Sequence, residues 1–293
     1  MVRTLVLVIA DADGPTERAD TDPLSADQAG RLVETLYADG IVARRGAFTA
    51  AWADRLGVDI MALFEEARSQ GGAVGRGPER FYVEVHPERL RGFVDLVTHP
   101  WVTGVCEAVL GRDFEIVEVG FDIPFPGAVK QPWHRDFPAP VETTEHGRLT
   151  SLAFNLTTVD VEPEMGPFEI APGTQWDDHP DFAHGMFPPR SRWSRYESLS
   201  RRKLTKRGDI SARSALTIHR GTDNRSDTPR PTLVLGVDAP GAGNAAHHDL
   251  MVTRDYWAGL PEYVRAHLPA RLVDRLEPIE QKHTIEGLVM GAP

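Results

Sequence analysis

Apolar positions change their spacing near the middle of this chain, and the change predicts two kinds of layer. From about residue 24 to 111 they recur every three to four residues, which lines them along one face of a helix. Leu32, Val33, Leu36 and Tyr37 form one such stripe, entered through Ser25-Ala26-Asp27-Gln28 and stopped by Gly40. A serine and a glutamine three residues on can satisfy the orphan amides of a helix start, and glycine accepts the left-handed turn that ends one. A second helix is predicted over about Phe48 to Gln70, with Trp52, Leu56, Ile60, Leu63, Phe64 and Ala67 inward. A third runs near Pro100 to Leu110 and ends at Gly111.

From Phe114 the spacing becomes two. Val117, Val119, Phe121 and Ile123 alternate, as do Leu152, Phe154 and Leu156, then Leu216 and Ile218, then Leu233 and Leu235. That is the period of strands with one face in a core. Prolines and glycines punctuate these runs heavily, as turns of a sandwich or barrel require. The stretch 175–207 is polar, rich in Pro, His and Arg, and without a period, so it is expected to be a long insertion or lid. Helical spacing returns with Tyr256, Trp257, Leu260 and Tyr263, predicting C-terminal helices over about 251–275. With no linker in view, the expectation is a single domain over 1–293, with a mainly β core at about 114–240 and flanking helices. Val2 to Ile9 reads as a strand and not a signal, since it is short and lacks a cleavage pattern.

Composition narrows the function classes. With 41% hydrophobic and 26% charged residues and no apolar run long enough to span a bilayer, no membrane segment is expected. A net charge of −11 disfavours nucleic acid as a partner. The one cysteine, Cys106, lies in an apolar helical pattern, which points to a buried packing residue and a cytoplasmic home. Oligomeric state is not legible. Lysine is scarce, at Lys130, Lys203, Lys206 and Lys282, and abundant Ala, Gly and Asp read as a GC-rich bacterial genome.

Chemistry concentrates at Gln131-Pro132-Trp133-His134-Arg135-Asp136-Phe137. Two residues apart on a strand, His134 and Asp136 point to the same side and can converge on one ion. His219 follows the alternation of Leu216 and Ile218, so a second strand delivers another imidazole. Two histidines and one carboxylate on one face of a metal leave the opposite positions open, the arrangement of non-haem iron(II) oxygenases. Arg230, eleven residues after His219, heads the next strand and suits a bidentate grip on a carboxylate.

At these residues the sequence resembles the phytanoyl-CoA dioxygenase superfamily. The matching features are Trp133-His134-Arg135-Asp136, then Glu164-Met165-Gly166-Pro167 with Pro172-Gly173-Thr174, then His219 with Asn224, Ser226 and Arg230. Leu24 to Gln28 and Asp39-Gly40-Ile41-Val42 resemble the family's opening helix and strand, so the likeness covers roughly residues 24 to 240. It implies a distorted double-stranded β-helix of jelly-roll, cupin-like form. It also implies iron(II) at His134, Asp136 and His219, 2-oxoglutarate held by Arg230, and dioxygen as co-reactant. Two departures stand out. The serine that relatives often carry two residues after the distal histidine is Gly221 here, with Thr222 next to it as a substitute hydroxyl, and Gln175 replaces the histidine of the family's second motif. Phe154 and Gln131 are further candidates for contact with the cosubstrate.

Other residues have plainer readings. His247 and His248 are adjacent, would point to opposite faces of a strand, and are expected to be solvated. His179 and His184 with Asp177, Asp178 and Asp181 are read as a solvated acidic loop, the alternative being a metal site or a cradle for a cationic substrate. Trp176 and Phe182 either wall the lid or pin it to the core, and Trp133 and Phe137 either line the substrate pocket or belong to the core. The expected reaction is hydroxylation or oxidative cyclisation of a polar, possibly cationic small metabolite, such as an aminoglycoside or amino-acid derivative in bacterial secondary metabolism. Halogenation is not expected, because related halogenases replace the carboxylate that Asp136 retains. The competing readings are a cupin-type metalloenzyme without 2-oxoglutarate and a non-catalytic jelly-roll binding protein.

Overall fold

A computed structural model describes residues 22–279, so the strand expected at Val2 to Ile9 lies outside the described residues. Helix α1 (Ala26–Asp39) begins at the expected capping box: the Gln28 amide donates to Ser25 Oγ and the Ser25 amide to Gln28 Oε1. It ends at Gly40, φ +74°, where an added Cβ would fall 2.3 Å from Thr217 Oγ1, so positive φ and crowding both select glycine. Strand β1 (Ile41–Arg44) leads to α2 (Ala50–Ser69), capped by Thr49 and buried along Ala53, Leu56, Ile60 and Phe64. Then come β2 (Val74–Gly75), β3 (Arg80–Glu84), α3 (Phe93–Val97), α4 (Pro100–Leu110) and β4 (Glu115–Pro124). Residues 24–111 are therefore not purely helical. Three strands lie among the helices, too short or too mixed in polarity to alternate legibly.

The remaining elements are α5 (Val141–Thr144), β5 (Ser151–Thr157), β6 (Phe168–Ile170), α6 (Trp193–Leu199), β7 (Arg201–Arg202), β8 (Ile210–Ser214), β9 (His219–Gly221), β10 (Thr232–Asp238), β11 (Met251–Thr253), α7 (Arg254–Gly259), α8 (Glu262–His267) and β12 (Arg271–Val273). Seven strands make an antiparallel sheet in the order β1-β8-β5-β10-β4-β3-β2, and β7-β6-β9 make a smaller one. The fold is the jelly-roll, cupin-like double-stranded β-helix with flanking helices.

Alternation assigns the two faces of the large sheet. Leu152, Phe154 and Leu156, Leu233 and Leu235, and Val119, Phe121 and Ile123 pack with Leu36, Leu56, Phe64, Trp101 and Cys106 of the helices. The opposite face, including Ser151, Ala153, Asn155, Thr232 and Asp122, lines a cavity of about 350 Å³ that Phe168 and His219 of the small sheet also border. One predicted face is corrected by a bulge. The register of β4 against β10 shifts between Gly236 and Val237, so Ile116 enters the core and Val117 turns to the cavity.

The expected lid is tied down. Phe182 and Tyr196 pack with Trp133, Ala171 and Ile218 in a second apolar cluster, and Trp176 Nε1 donates to the Tyr37 carbonyl. Gln175, fully buried, donates through Nε2 to the same carbonyl (2.8 Å), so it fastens this segment to the end of α1. The acidic residues of the segment answer to arginines: Asp177 to Arg195, Asp178 to Arg135 and Asp181 to Arg192. Those carboxylates are satisfied internally and form no cradle for a ligand.

Candidate metal centre

Strand parity builds this site. Around His134 and Asp136 the alternate residues Trp133 and Arg135 turn the other way, Trp133 into the second cluster and Arg135 onto the Gly185 and Asp177 carbonyls. His134 and His219 face each other as an antiparallel bridge, exchanging backbone bonds of 2.9 and 2.8 Å, and their rings stand 4.4 Å apart. The Asp136 amide donates to the Ala215 carbonyl, which sets the carboxylate beside them.

Both imidazoles are held in the tautomer that a metal needs. His134 Nδ1 is 2.9 Å from the Pro132 carbonyl and His219 Nδ1 is 2.9 Å from the Thr217 carbonyl. A carbonyl only accepts, so the proton sits on Nδ1 and each Nε2 keeps its lone pair. Burial, reinforced by His219, pushes the His134 pKa down to about 3, and burial followed by Arg213 lowers that of His219. Burial alone would raise the Asp136 pKa, but Arg213 and then His219 hold it well below the usual carboxylate range. Neutral imidazoles beside an ionised carboxylate are a ready donor set.

Asp136 Oδ1 lies 3.3 Å from His219 Nε2, close to the ~3 Å between neighbouring donors that each stand ~2.1 Å from one ion. Its other oxygen, Oδ2, accepts from Arg213 Nη1 (2.7 Å), while Arg213 Nη2 reaches Oδ1 at 3.2 Å. Among the described residues no three His, Cys, Asp or Glu side chains stand close enough together to hold a metal ion as they are placed, so the three donors would have to draw in about one. What the side chains present is one carboxylate oxygen beside His219 and the other secured by a guanidinium, which fits a monodentate ligand with an outer partner. Phe168 stacks on His219 and Phe187 on His134, walling the histidines with apolar rings. Replacing Arg213 with methionine is expected to weaken iron binding about 10- to 100-fold, as loss of an outer partner does; competition with a chelator measures it.

Arg230 is 2% exposed. Its Nε donates to the Gly166 carbonyl and Nη1 to Thr232 Oγ1, whereas Nη2 has no hydrogen-bond partner and stands 3.6 Å from Asp122 Oδ2. Burial lowers its pKa to about 10, which leaves it charged at neutral pH. Gln131 also borders the cavity and accepts the Gly221 amide through Oε1 (2.9 Å). The other two expected contacts are elsewhere. Phe154 falls on the helix side of β5 against Trp101, so its neighbour Asn155 is the residue that meets the cavity, with Oδ1 unpartnered. Thr222 gives its hydroxyl to the Pro167 carbonyl and does not border the cavity. The glycine at 221 is explained by Arg80. A Cβ there would sit 2.4 Å from Arg80 Nη1, and that fully buried guanidinium is fixed by Asp122 and the Thr222 carbonyl.

Sequence reasoning missed Arg80, Asn155, Lys203 and Arg213. Three of them, Asn155, Lys203 and Arg213, line the cavity, and Arg80 braces Asp122, which does. The cavity is polarised. Thr232 and Thr157 pair at one end of β10 and β5, near Arg230 and Lys203, and Asp238 and Ser151 pair at the other. Six residues of strand, at ~3.3 Å each, separate the two ends by about 20 Å. At the far end Tyr82 donates to Glu118, Asp238 accepts from Ser151 and Asn244, and His248 Nδ1 lies 3.3 Å from Glu84 Oε1. His248 is thus buried, contrary to the solvated pair expected, while His247 is exposed. No helix among the described residues is long and apolar enough to cross a membrane.

Comparison with known proteins accords with this geometry. Residues 36–232 match the family model described as phytanoyl-CoA dioxygenase. Among solved structures, the non-haem α-ketoglutarate-dependent carbocyclase SnoK from nogalamycin biosynthesis is similar at a TM-score of 0.58 and 19% identity, over 76% of this chain and 91% of that one. EctD from S. alaskensis, solved with 2-oxoglutarate and 5-hydroxyectoine, gives 0.57 and 17%, over 76% and 79%. AviO1 from Streptomyces viridochromogenes Tue57 gives 0.53 and 18%, over 78% and 98%. At these identities the structural likeness speaks for the fold. A search of curated protein sequences finds no match. The family match, spanning more than half of the sequence, decides the class: this chain belongs to the phytanoyl-CoA dioxygenase family of non-haem dioxygenases, which use iron(II), 2-oxoglutarate and dioxygen.

Proposed function

We propose that His134, Asp136 and His219 hold the iron, that Arg230 orients 2-oxoglutarate, and that the enzyme hydroxylates or oxidatively cyclises a polar, cationic small metabolite of bacterial secondary metabolism. The observations that support the metal assignment are the Nδ1 contacts that leave a lone pair on each Nε2, the 3.3 Å between His219 Nε2 and Asp136 Oδ1, and the cavity that all three residues line. Iron held there would supply the activation of dioxygen that is coupled to oxidative decarboxylation of 2-oxoglutarate to succinate and carbon dioxide.

The chain's own residues do the positioning. The unpartnered Nη2 of Arg230 offers charge and a donor to the distal carboxylate of the cosubstrate. Phe168 and Phe187 exclude water beside the histidines. Arg213 fixes the face that Asp136 presents. The end of the cavity bearing Glu118 and Asp238 supports a substrate with an amino group, and hydroxyls would suit the surrounding Tyr82 and Asn244. Asp136 fills the position that a halide would need, which favours hydroxylation or ring closure.

Anaerobic addition of iron(II) and 2-oxoglutarate should produce the visible charge-transfer band of the chelated metal. Absence of the band rejects the assignment. Aminoglycosides and basic amino-acid derivatives should then stimulate succinate release more than their acidic counterparts, with the preference shrinking at high salt.

A further inference from the structure

Among the described residues, Lys203 is a buried cation with no carboxylate in ion-pair contact. Its residue is 7% exposed, it borders the cavity, and its Nζ donates to Ser211 Oγ (2.7 Å) above the Phe168 ring. The charged groups around it do not balance it. Arg213 of β8 and Arg230 before β10 add positive charge. The carboxylates of the adjoining elements are taken: Asp136 by Arg213, Asp122 of β4 by Arg80, and Glu169 of β6 by Arg202 and Arg220. A buried ammonium normally has a paired anion, and the cavity that Lys203 borders has room for one. Asn155, opposite Ser211 in the sheet, turns an unpartnered amide oxygen into the same space.

We propose that Lys203 and Arg230 grip the distal carboxylate of 2-oxoglutarate between them, so that the cosubstrate site carries two cations in place of the arginine and serine pair. The inference rests on the functional reading above, and it accounts for the lost serine: Arg80 occupies the space beside Gly221, and the second contact comes from across the cavity.

The arrangement carries a proton signature. Burial, then Arg213 and Arg230, lowers the pKa of Lys203 to about 7. An anion placed against it favours the charged form and raises that value. At pH 8 the free enzyme is therefore mostly neutral at Lys203 and takes up a proton when 2-oxoglutarate binds. Affinity should fall as pH rises above 7, by up to about tenfold per unit for one linked proton.

The test is calorimetric titration of 2-oxoglutarate into the anaerobic iron(II) enzyme at pH 8, in two buffers of different ionisation enthalpy. Wild type should take up close to one proton more than Lys203→Met, which should bind at least about tenfold more weakly. Lys203→Arg should recover most of the affinity without the proton uptake, because a guanidinium does not titrate there. Thermal melting at pH 6, where the lysine of the free enzyme is charged, supplies an independent readout: removing an uncompensated buried charge should raise the Tm of Lys203→Met, whereas a lysine needed only for packing would lower it. Equal affinity and equal proton uptake in wild type and Lys203→Met would overturn the inference while leaving the enzyme assignment standing. Failure of wild type to bind 2-oxoglutarate at all overturns both.

Discussion

Alanine in place of His219 is expected to lower turnover by on the order of 10³-fold or more and to yield protein that no longer retains iron. On the proposed assignment the imidazole is one of three donors, and alanine leaves its position on the metal without a protein ligand. Its Nε2 also lies 3.3 Å from Asp136 Oδ1, so its loss leaves the carboxylate facing Arg213 alone. Metal content and succinate formation measure the result together. His219→Gln separates chemistry from packing, since it keeps a side chain against Phe168 without an imidazole. Undiminished succinate formation from either variant would remove His219 from the metal.

Arg230→Met is expected to raise the KM for 2-oxoglutarate by about 30- to 5,000-fold. Taking one partner from a buried, hydrogen-bonded charge pair costs about 2–5 kcal/mol. The guanidinium is nearly inaccessible, its Nε and Nη1 are committed to Gly166 and Thr232, and the remaining Nη2 is presented without a partner. With cosubstrate saturating, kcat should fall much less than kcat/KM, because the contact is made equally in ground and transition states. Arg230→Lys should recover only part of the loss, as an ammonium cannot reproduce the planar fork. An unchanged KM would show that the distal carboxylate lies elsewhere.

How far the sequence foretold the molecule depends on which physical signal each residue carried. His134 and Asp136 were legible because a period of two puts them on one side whatever the neighbouring strands do. Helices α1 and α4 were legible through Ser25, Gly40 and Gly111, whose roles are local, and α2 through its apolar stripe. Phe154 was misplaced because every residue of β5 is buried, so apolarity does not say which face meets the cavity. The same ambiguity hid Asn155. Val117 was misassigned because the bulge opposite Gly236 arises from pairing, not from local spacing. Arg80 and Arg213 come from strands β3 and β8 and Lys203 follows β7, and nothing in their own neighbourhoods marks them as inward cations. Their convergence exists only once the sheets have formed.

Cys106 sits among the helices on the far side of the large sheet from the cavity, wholly buried. Burial, and then Glu107, raise the thiol pKa well above its ordinary value, so almost no thiolate is present. Oxidants attack sulfur mainly as accessible thiolate. A catalyst that handles dioxygen thus keeps its single thiol behind a layer of packed strands. Among the described residues the sulfur that borders the cavity is the thioether of Met186. Conversion to the sulfoxide there would place a polar group in the cavity proposed to hold the iron, and methionine sulfoxide, unlike overoxidised cysteine, can be reduced back.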